Sequence, residues 1–416
     1  MYYFFMFYLK QNDAYRKSFE EIFGADFIPE SVNEFFRRRN KISSNDTYSV
    51  DIIILELKLH PIIKDVLRIF KPGQELFDQS QFPDHCKADA ELILLGRDLH
   101  VLHDDLLENP DVYAEYQREL ANPQSYRARR FELMVAAGYK IQGYAIHFIA
   151  RESDKSKKTY EFEATSPSGK NIQVECKQRN QALVDSAAVN YLTLLMKKLS
   201  PVLCDGNHNL IVSIDPKSIN FSQVDELTRL VISYVKSRTY FQLIVTEIGG
   251  IEIKEYTKHE IQNSRFSELD RSHPTYTTTE DEYIACHKGF YLMLRRSLGD
   301  EVLKSYNRLF SDAKKKFDVT DICRIVYFDV GELPVDETDR ISLSIKANPI
   351  PGVDGVFLLK SILHLVPSGL GQNTITFSPA TKAYFNKSKM SEGILPASIF
   401  GLQGDTGFDN YIKLVL

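Results

Sequence analysis

The sequence predicts an α/β protein, a mixed sheet flanked by helices, and three observations carry that class. Residues 11 to about 122 place apolar side chains at helical spacing. From Tyr139 onward, runs rich in β-formers and runs of strict alternation read as strands. Beyond Asn122-Pro123 the two patterns interleave as α-β-β-β-α-β-α-β, the order of helices laid against a mixed sheet. The 416 residues therefore divide into a mainly helical N-terminal region (1–122), a core (123–260) and a C-terminal α/β region (261–416).

Taken in order, Tyr15, Phe19 and Ile22 share a helical face that stops at Gly24, and Ala88–Leu107 and Asp111–Leu120 carry similar patterning. Lys71-Pro72-Gly73 and Asn109-Pro110 break such segments. Phe35 to Lys41 mixes aromatic and basic residues and reads first as a helix end with cations near its dipole, second as a phosphate contact. Ser125–Ala137 reads as a helix with Phe131 and Val135 turned inward and Gly138 as its C′ residue. Tyr139–Ala150 is a strand, Arg151–Lys158 a charged turn, and a hairpin follows. Then come a helix (Ala182–Lys198), a strand (Asn209–Ile214), a helix (Val224–Arg238) and a strand, Phe241–Glu247, pairing with Ile251–Tyr256 through Gly249-Gly250. Gln262–Glu282 reads as a polar linker and Tyr283 to about Phe317 as helical. Strands are expected at Ile322–Val330, Ile341–Ile345 and Val356–Leu359.

Composition excludes several classes. With 43% hydrophobic residues the chain can bury real cores, and no run approaches the ~18 consecutive apolar residues of a membrane span. Met1–Leu9 lacks a basic n-region and a cleavage site, so it reads as a buried first element, and cytoplasmic residence is expected. Five scattered cysteines without a CxxC pair point to buried thiols. No GxxxxGK[ST] loop is present to power translocation. The net charge of −5 excludes coating nucleic acid by bulk charge, but Tyr126–Arg179 holds eleven basic against six acidic residues. Arg127, Arg129, Arg130, Gln178 and Arg179 are the candidate phosphate contacts there.

The chemistry concentrates in the hairpin Thr159–Arg179. Its second arm turns Ile172, Val174 and Cys176 one way and Gln173, Glu175 and Lys177 the other. Its first arm sets Tyr160, Phe162 and Ala164 against Glu161 and Glu163, and Ser166-Pro167-Ser168-Gly169 makes the turn. Glu-x-Lys occurs three times in the chain. Glu56-Leu57-Lys58 and Glu252-Ile253-Lys254 lack the surrounding pattern, whereas Glu175-Cys176-Lys177 has the upstream helix, a carboxylate-bearing strand and a downstream helix. Hydrolysis of a phosphodiester needs a cation to offset charge on the nonbridging oxygens, and hard Mg2+ prefers carboxylate, carbonyl and water oxygens. Glutamates on neighbouring strands supply such ligands, and Lys177 beside them can orient hydroxide. Alternation alone does not separate Glu161 from Glu163, which leave the same face roughly 7 Å apart. The plainer reading is a solvated hairpin face with cross-strand Glu-Lys pairs. His208 and His273 lie in loops without metal-ligand spacing.

Together, RRFELMVAAGYKI, YEFEA and SGKNIQVECKQR resemble the PD-(D/E)xK nuclease superfamily, with its restriction-endonuclease-like fold. The resemblance implies that Glu161, Glu175 and the backbone carbonyl of Cys176 hold Mg2+, with Mn2+ able to substitute and Glu163 as the alternative ligand. It implies that Lys177 lies near the attacking water and scissile phosphate, and that Glu132 on the first core helix assists. The sequence departs from the family pattern with Glu161 where Asp is commoner and Tyr160 where Pro often stands. The expected function is a metal-dependent endonuclease, acting on DNA in preference to RNA, by analogy in restriction or anti-phage defence. The N- and C-terminal regions are left for choosing substrate, a partner protein or a second copy. The alternatives are an RNA nuclease and a nuclease-like binding module without catalysis.

Overall fold

A computed structural model describes residues 13–42, 50–69, 82–150, 160–178, 181–203, 209–216, 219–238, 243–257, 259–260, 274–278, 282–295, 299–317, 322–330, 335–347, 352–368, 372–385 and 414–415. Met1–Leu9, the break at 71–73, the turn 151–158, Arg179, His208 and His273 lie outside them. Among the described residues eight helices precede the first strand: α1 (Asp13–Phe23), α2 (Phe27–Lys41), α3 (Val50–Leu57), α4 (Pro61–Ile69), α5 (Phe82–Val101), α6 (His103–Leu107), α7 (Pro110–Ala121) and α8 (Tyr126–Ile141). Next come β1 (Ala145–Phe148), β2 (Phe162–Thr165), β3 (Asn171–Gln178), α9 (Gln181–Leu203), β4 (Asn209–Pro216), α10 (Val224–Lys236), β5 (Leu243–Val245), β6 (Gly249–Tyr256), β7 (Thr275–Thr278), β8 (Glu282–His287) and β9 (Phe290–Arg295). The chain continues through α11 (Gly299–Lys314), β10 (Cys323–Asp329), α12 (Val335–Ala347), β11 (Gly355–Ser368), β12 (Gln372–Phe385) and β13 (Leu414–Val415).

The protein is α/β, with two mixed sheets flanked by helices. These elements form two compact units, each discontinuous in sequence: Met1–Asn33, Leu59–Arg179 and Tyr306–Leu416 make one, Glu34–Lys58 and Asn180–Ser305 the other. Three consecutive regions were expected instead. The hairpin's sheet, ordered β1-β2-β3-β10-β11-β12-β13, takes its next strand from beyond residue 320, whereas β4 and β6 belong to a second sheet, β5-β6-β4-β9-β8-β7. Buried Val212, Ile214, Ile251 and Leu292 of that second sheet pack with Leu192, Leu195 and Leu199 of α9 and Val224, Leu227 and Val231 of α10.

In the first unit β3 runs antiparallel to β2 and parallel to β10, with Glu175 opposite Val326, Cys176 opposite Tyr327 and Lys177 opposite Phe328. Directly paired residues share a face. On the Cys176 face lies α8, whose Tyr139 hydroxyl is 2.9 Å from that of Tyr327 and whose ring meets Phe162 edge-on. On the Lys177 face lies α11, where the Phe310 and Phe328 rings are 4.3 Å apart and the Tyr306 hydroxyl donates to Asp329 O. Being covered on both sides, β3 buries Gln173 and Glu175 as fully as Ile172 and Val174. The solvated hairpin face is therefore not what forms.

Other elements differ for local reasons. Gly138 sits inside α8, which runs on because Tyr139 anchors its last turn in the core; the left-handed residue after it is Gly143, φ 83°. Residues 282–295 are a hairpin, not a helix. Lys288 and Gly289 both take positive φ in a two-residue turn, and the buried run Phe290–Leu294 shows no alternation because both its faces are covered. Thr275–Thr278, placed in a linker, is a strand. Ile341–Ile345 is helical, since Thr338, Ile341, Ser342 and Ile345 are buried at helical spacing. Ile322–Val330 and Val356–Leu359 do form strands, the latter longer than expected. β5 and β6 also pair as expected, but Gly249 and Gly250 are the first two residues of β6, and the turn is made by Glu247 and Ile248 before them. Among the described residues no helix is long and apolar enough to cross a membrane.

Candidate metal centre on the β2–β3 hairpin

Glu161 stands immediately before β2, where its amide donates to Val174 O (3.0 Å) and its carbonyl accepts from Ile149 N–H (3.1 Å). That pairing sets Glu163 opposite Gln173 and carries Glu161 one step further along, toward Glu175. The Lys316 ammonium shows that the two carboxylates meet, for it lies 3.1 Å from Glu161 Oε1 and 3.0 Å from Glu175 Oε1. Lys177, two residues along the same face, also pairs with Glu175 Oε1. Glu163 goes elsewhere and accepts a hydrogen bond from the Tyr160 hydroxyl. The structure thus joins Glu161, Glu175 and Lys177 and leaves Glu163 outside the group.

The remaining oxygen of Glu161, Oε2, lies 3.3 Å from Arg129 on α8. That guanidinium is a hub. Its three nitrogens reach Glu115 at 2.6 Å, Glu119 and Glu132, while the Tyr116 ring lies 5.0 Å from its central carbon. Glu132 accepts a second hydrogen bond from the Tyr116 hydroxyl at 3.2 Å. Its tie to the metal candidates therefore runs through Arg129, one residue removed. Arg129 and Arg130, expected on a nucleic-acid face, are both buried, Arg130 against the buried Asp98 at 2.6 Å. Helical position had suggested surface cations, but the carboxylates of α5, α7 and the hairpin enclose them. Arg127 is half-buried and Gln178 donates to Asp329 Oδ2 at 2.5 Å.

Charge counting explains how this cluster behaves. Five carboxylates (Glu115, Glu119, Glu132, Glu161, Glu175) face three cations (Arg129, Lys177, Lys316), a formal balance of −2. Burial, and then the charge of Glu161, push the Glu175 carboxyl up to about 7 despite the two lysines beside it. Burial opposes the charge of Lys316, yet Glu175 and Glu161 outweigh it and raise its pKa. The Cys176 thiol is raised well above its usual value by burial and by the surrounding carboxylates, so it is inert as a nucleophile.

The donor set suits a hard divalent cation. Both lysines reach Glu175 Oε1 as ion pairs rather than aligned hydrogen bonds, while buried Glu175 Oε2 has no hydrogen-bond partner among the described residues. Gln173 Oε1, on the same face of β3, is likewise buried without one. Glu161 N–H uses the Val174 carbonyl, and by strand alternation the Cys176 carbonyl leaves β3 on that same side, past the start of β2. No three His, Cys, Asp or Glu side chains form a ready-made cage among the described residues. Mg2+ does not demand one, since it keeps several waters and commonly takes one or two carboxylates.

The other Glu-x-Lys tripeptides stay structural: Glu56 lies in helix α3, and Lys254 pairs with Glu252 at 2.8 Å on half-exposed β6. Arg37 and Arg38 pair with Glu34 within α2, as expected of a helix end. What the sequence did not reveal is Lys316. It sits in a three-lysine run that looks like a solvated helix terminus, and only the parallel pairing of β3 with β10 brings it to the hairpin. The chain matches no family model and no curated protein.

Proposed function

We propose that the protein is a metal-dependent nuclease that hydrolyses phosphodiester bonds, with DNA favoured over RNA. The observation that carries this reading is the meeting of Glu161 and Glu175 with Lys177 on one buried strand face, with a formal surplus of negative charge and a carboxylate oxygen of Glu175 that has no hydrogen-bond partner among the described residues. Glu161, Glu175 and the Cys176 carbonyl would hold Mg2+, or Mn2+ in its place. Such a cation, when bound, offsets charge on the nonbridging phosphate oxygens. Lys177 then orients the attacking water and stabilises the charge that develops on the phosphate. Arg129, itself held by Glu132, fixes the Glu161 carboxylate in place. A role in restriction or anti-phage defence follows the PD-(D/E)xK resemblance alone. Cys176, buried and in no disulfide, suits a reducing compartment, and we place the protein in the cytoplasm on that ground.

One observation favours a second reading, a nuclease-like module that binds without cutting. Glu175 is completely buried and both lysines already rest on it, so the cluster can serve as a closed ion-pair network. Supercoiled plasmid and single-stranded RNA, each incubated with the protein in Mg2+ and again in EDTA, separate the readings. Nicking of plasmid that EDTA stops supports the nuclease. Cleavage of RNA alone reassigns the substrate, and no cleavage of either in Mg2+ or Mn2+ favours the binding module.

A further inference from the structure

Lys316 occupies the place where a cation would have to sit. Its ammonium lies between the two glutamates, 3.1 Å from Glu161 Oε1 and 3.0 Å from Glu175 Oε1. It comes from the turn after α11, where Lys316 N–H donates to Ala313 O. Next to it the Phe317 ring stacks on that of Tyr160, centroids 6.2 Å apart and planes 17° apart, clasping the turn to the residue that precedes Glu161. Lys177 already contributes one ammonium to Glu175. A divalent ion between these carboxylates would crowd a third cation against two ammonium groups, and like charges at such separations repel strongly in a buried site. Lys177 is held by β3 itself. Lys316 hangs from a turn on a four-carbon stem, and 18% of its side chain already reaches solvent, so its head can swing outward while its backbone stays in place.

We propose that Lys316 is the resident counter-cation of the Glu161–Glu175 pair and that a divalent metal ion enters by displacing it. The exchange rests on the metal reading above. It makes metal entry and the outward swing of the Lys316 side chain a single event: the charges of the two carboxylates are offset by an ammonium in one state and by the metal in the other. It also sets a limit on affinity, since part of the attraction of the glutamates for the metal is offset by the loss of Lys316.

Amine acetylation of the full chain, followed residue by residue by mass spectrometry, reads this directly. Lys316 should react slowly in EDTA and about tenfold faster in Mn2+ or Mg2+, while exposed Lys315 reacts at the same rate in both. Calorimetry with the same ions should show Lys316→Met binding metal about tenfold more tightly than the wild type. If the wild type binds metal but Lys316 stays protected and Lys316→Met gains no affinity, the exchange is wrong and the metal site stands. If calorimetry detects metal on neither protein, the metal reading fails and takes the exchange with it.

Discussion

The ammonium of Lys316 lies 3.1 Å from Oε1 of Glu161, although 155 positions separate them in the chain. The candidate centre is therefore built by the sheet's topology and not by the hairpin alone. A fragment of residues 123–260 would lack β10, the parallel neighbour of β3, together with α11 and Lys316. We expect it to show no cooperative thermal transition by circular dichroism while the full chain does. A fragment that melts cooperatively would show that the hairpin and its flanking elements suffice.

Arg129→Ala should act on stability rather than on nucleic-acid affinity. The substitution leaves Glu115, Glu119, Glu132 and Glu161 without their shared cation in a buried setting, a class of change that costs about 3–5 kcal/mol. Arg129→Lys should recover little, because one ammonium cannot reach what the guanidinium fork reaches. Urea unfolding of the three proteins checks both statements.

How much of this was legible depended on whether a feature is local. Alternation put Glu175 and Lys177 on one face of β3 and Cys176 on the other, and that is how they lie. Alternation has no term for a second layer, so the burial of Glu175 under α11 was invisible. The same holds for Arg129 and Arg130, whose burial depends on acids from α5, α7 and the hairpin that spacing within α8 does not reveal. Strands covered on both faces, such as Phe290–Leu294, lose the two-residue signal and read as helix. The parallel join of β3 to β10 leaves no mark in either segment, which is why Lys316 could not be found from sequence.

Glu175→Gln should change how stability depends on pH. The folded carboxyl is pushed up to about 7 from an ordinary 4.5, so between those values the folded state keeps a proton that the unfolded chain has released. Wild-type stability then falls as pH rises through that window, and the amide removes the fall. In EDTA, Glu175→Gln should gain about 2–3 kcal/mol relative to the wild type between pH 5 and pH 8. Parallel stability curves across that range would show that Glu175 is ionised throughout.

His60 gives a dependence of opposite sign. Its Nε2 donates to Leu120 O at 2.7 Å and its Nδ1 accepts from Ile62 N–H at 3.3 Å, an arrangement that only the neutral ring can make. Burial holds its pKa down to about 4, partly offset by the Leu120 carbonyl. Between about 4 and 6.5 the unfolded chain binds a proton that the folded state refuses, so stability is lost as pH falls through that window. The loss is about 2–3 kcal/mol. Thermal melts of His60→Gln against the wild type from pH 7 to pH 4 should converge as the pH falls.

The most direct measurement is the rate of plasmid cleavage in Mg2+ by the wild type, Glu161→Gln and Glu163→Gln under one set of conditions. Glu161 shares Lys316 with Glu175, whereas Glu163 is tied to Tyr160, so the two amides should behave differently despite leaving the same strand face. Glu161→Gln should lose about 100-fold or more in rate, and Glu163→Gln should keep most of it. Cleavage by Glu161→Gln at the wild-type rate, or by the wild type equally well in EDTA, would contradict the assignment of a metal-dependent centre to this pair of glutamates.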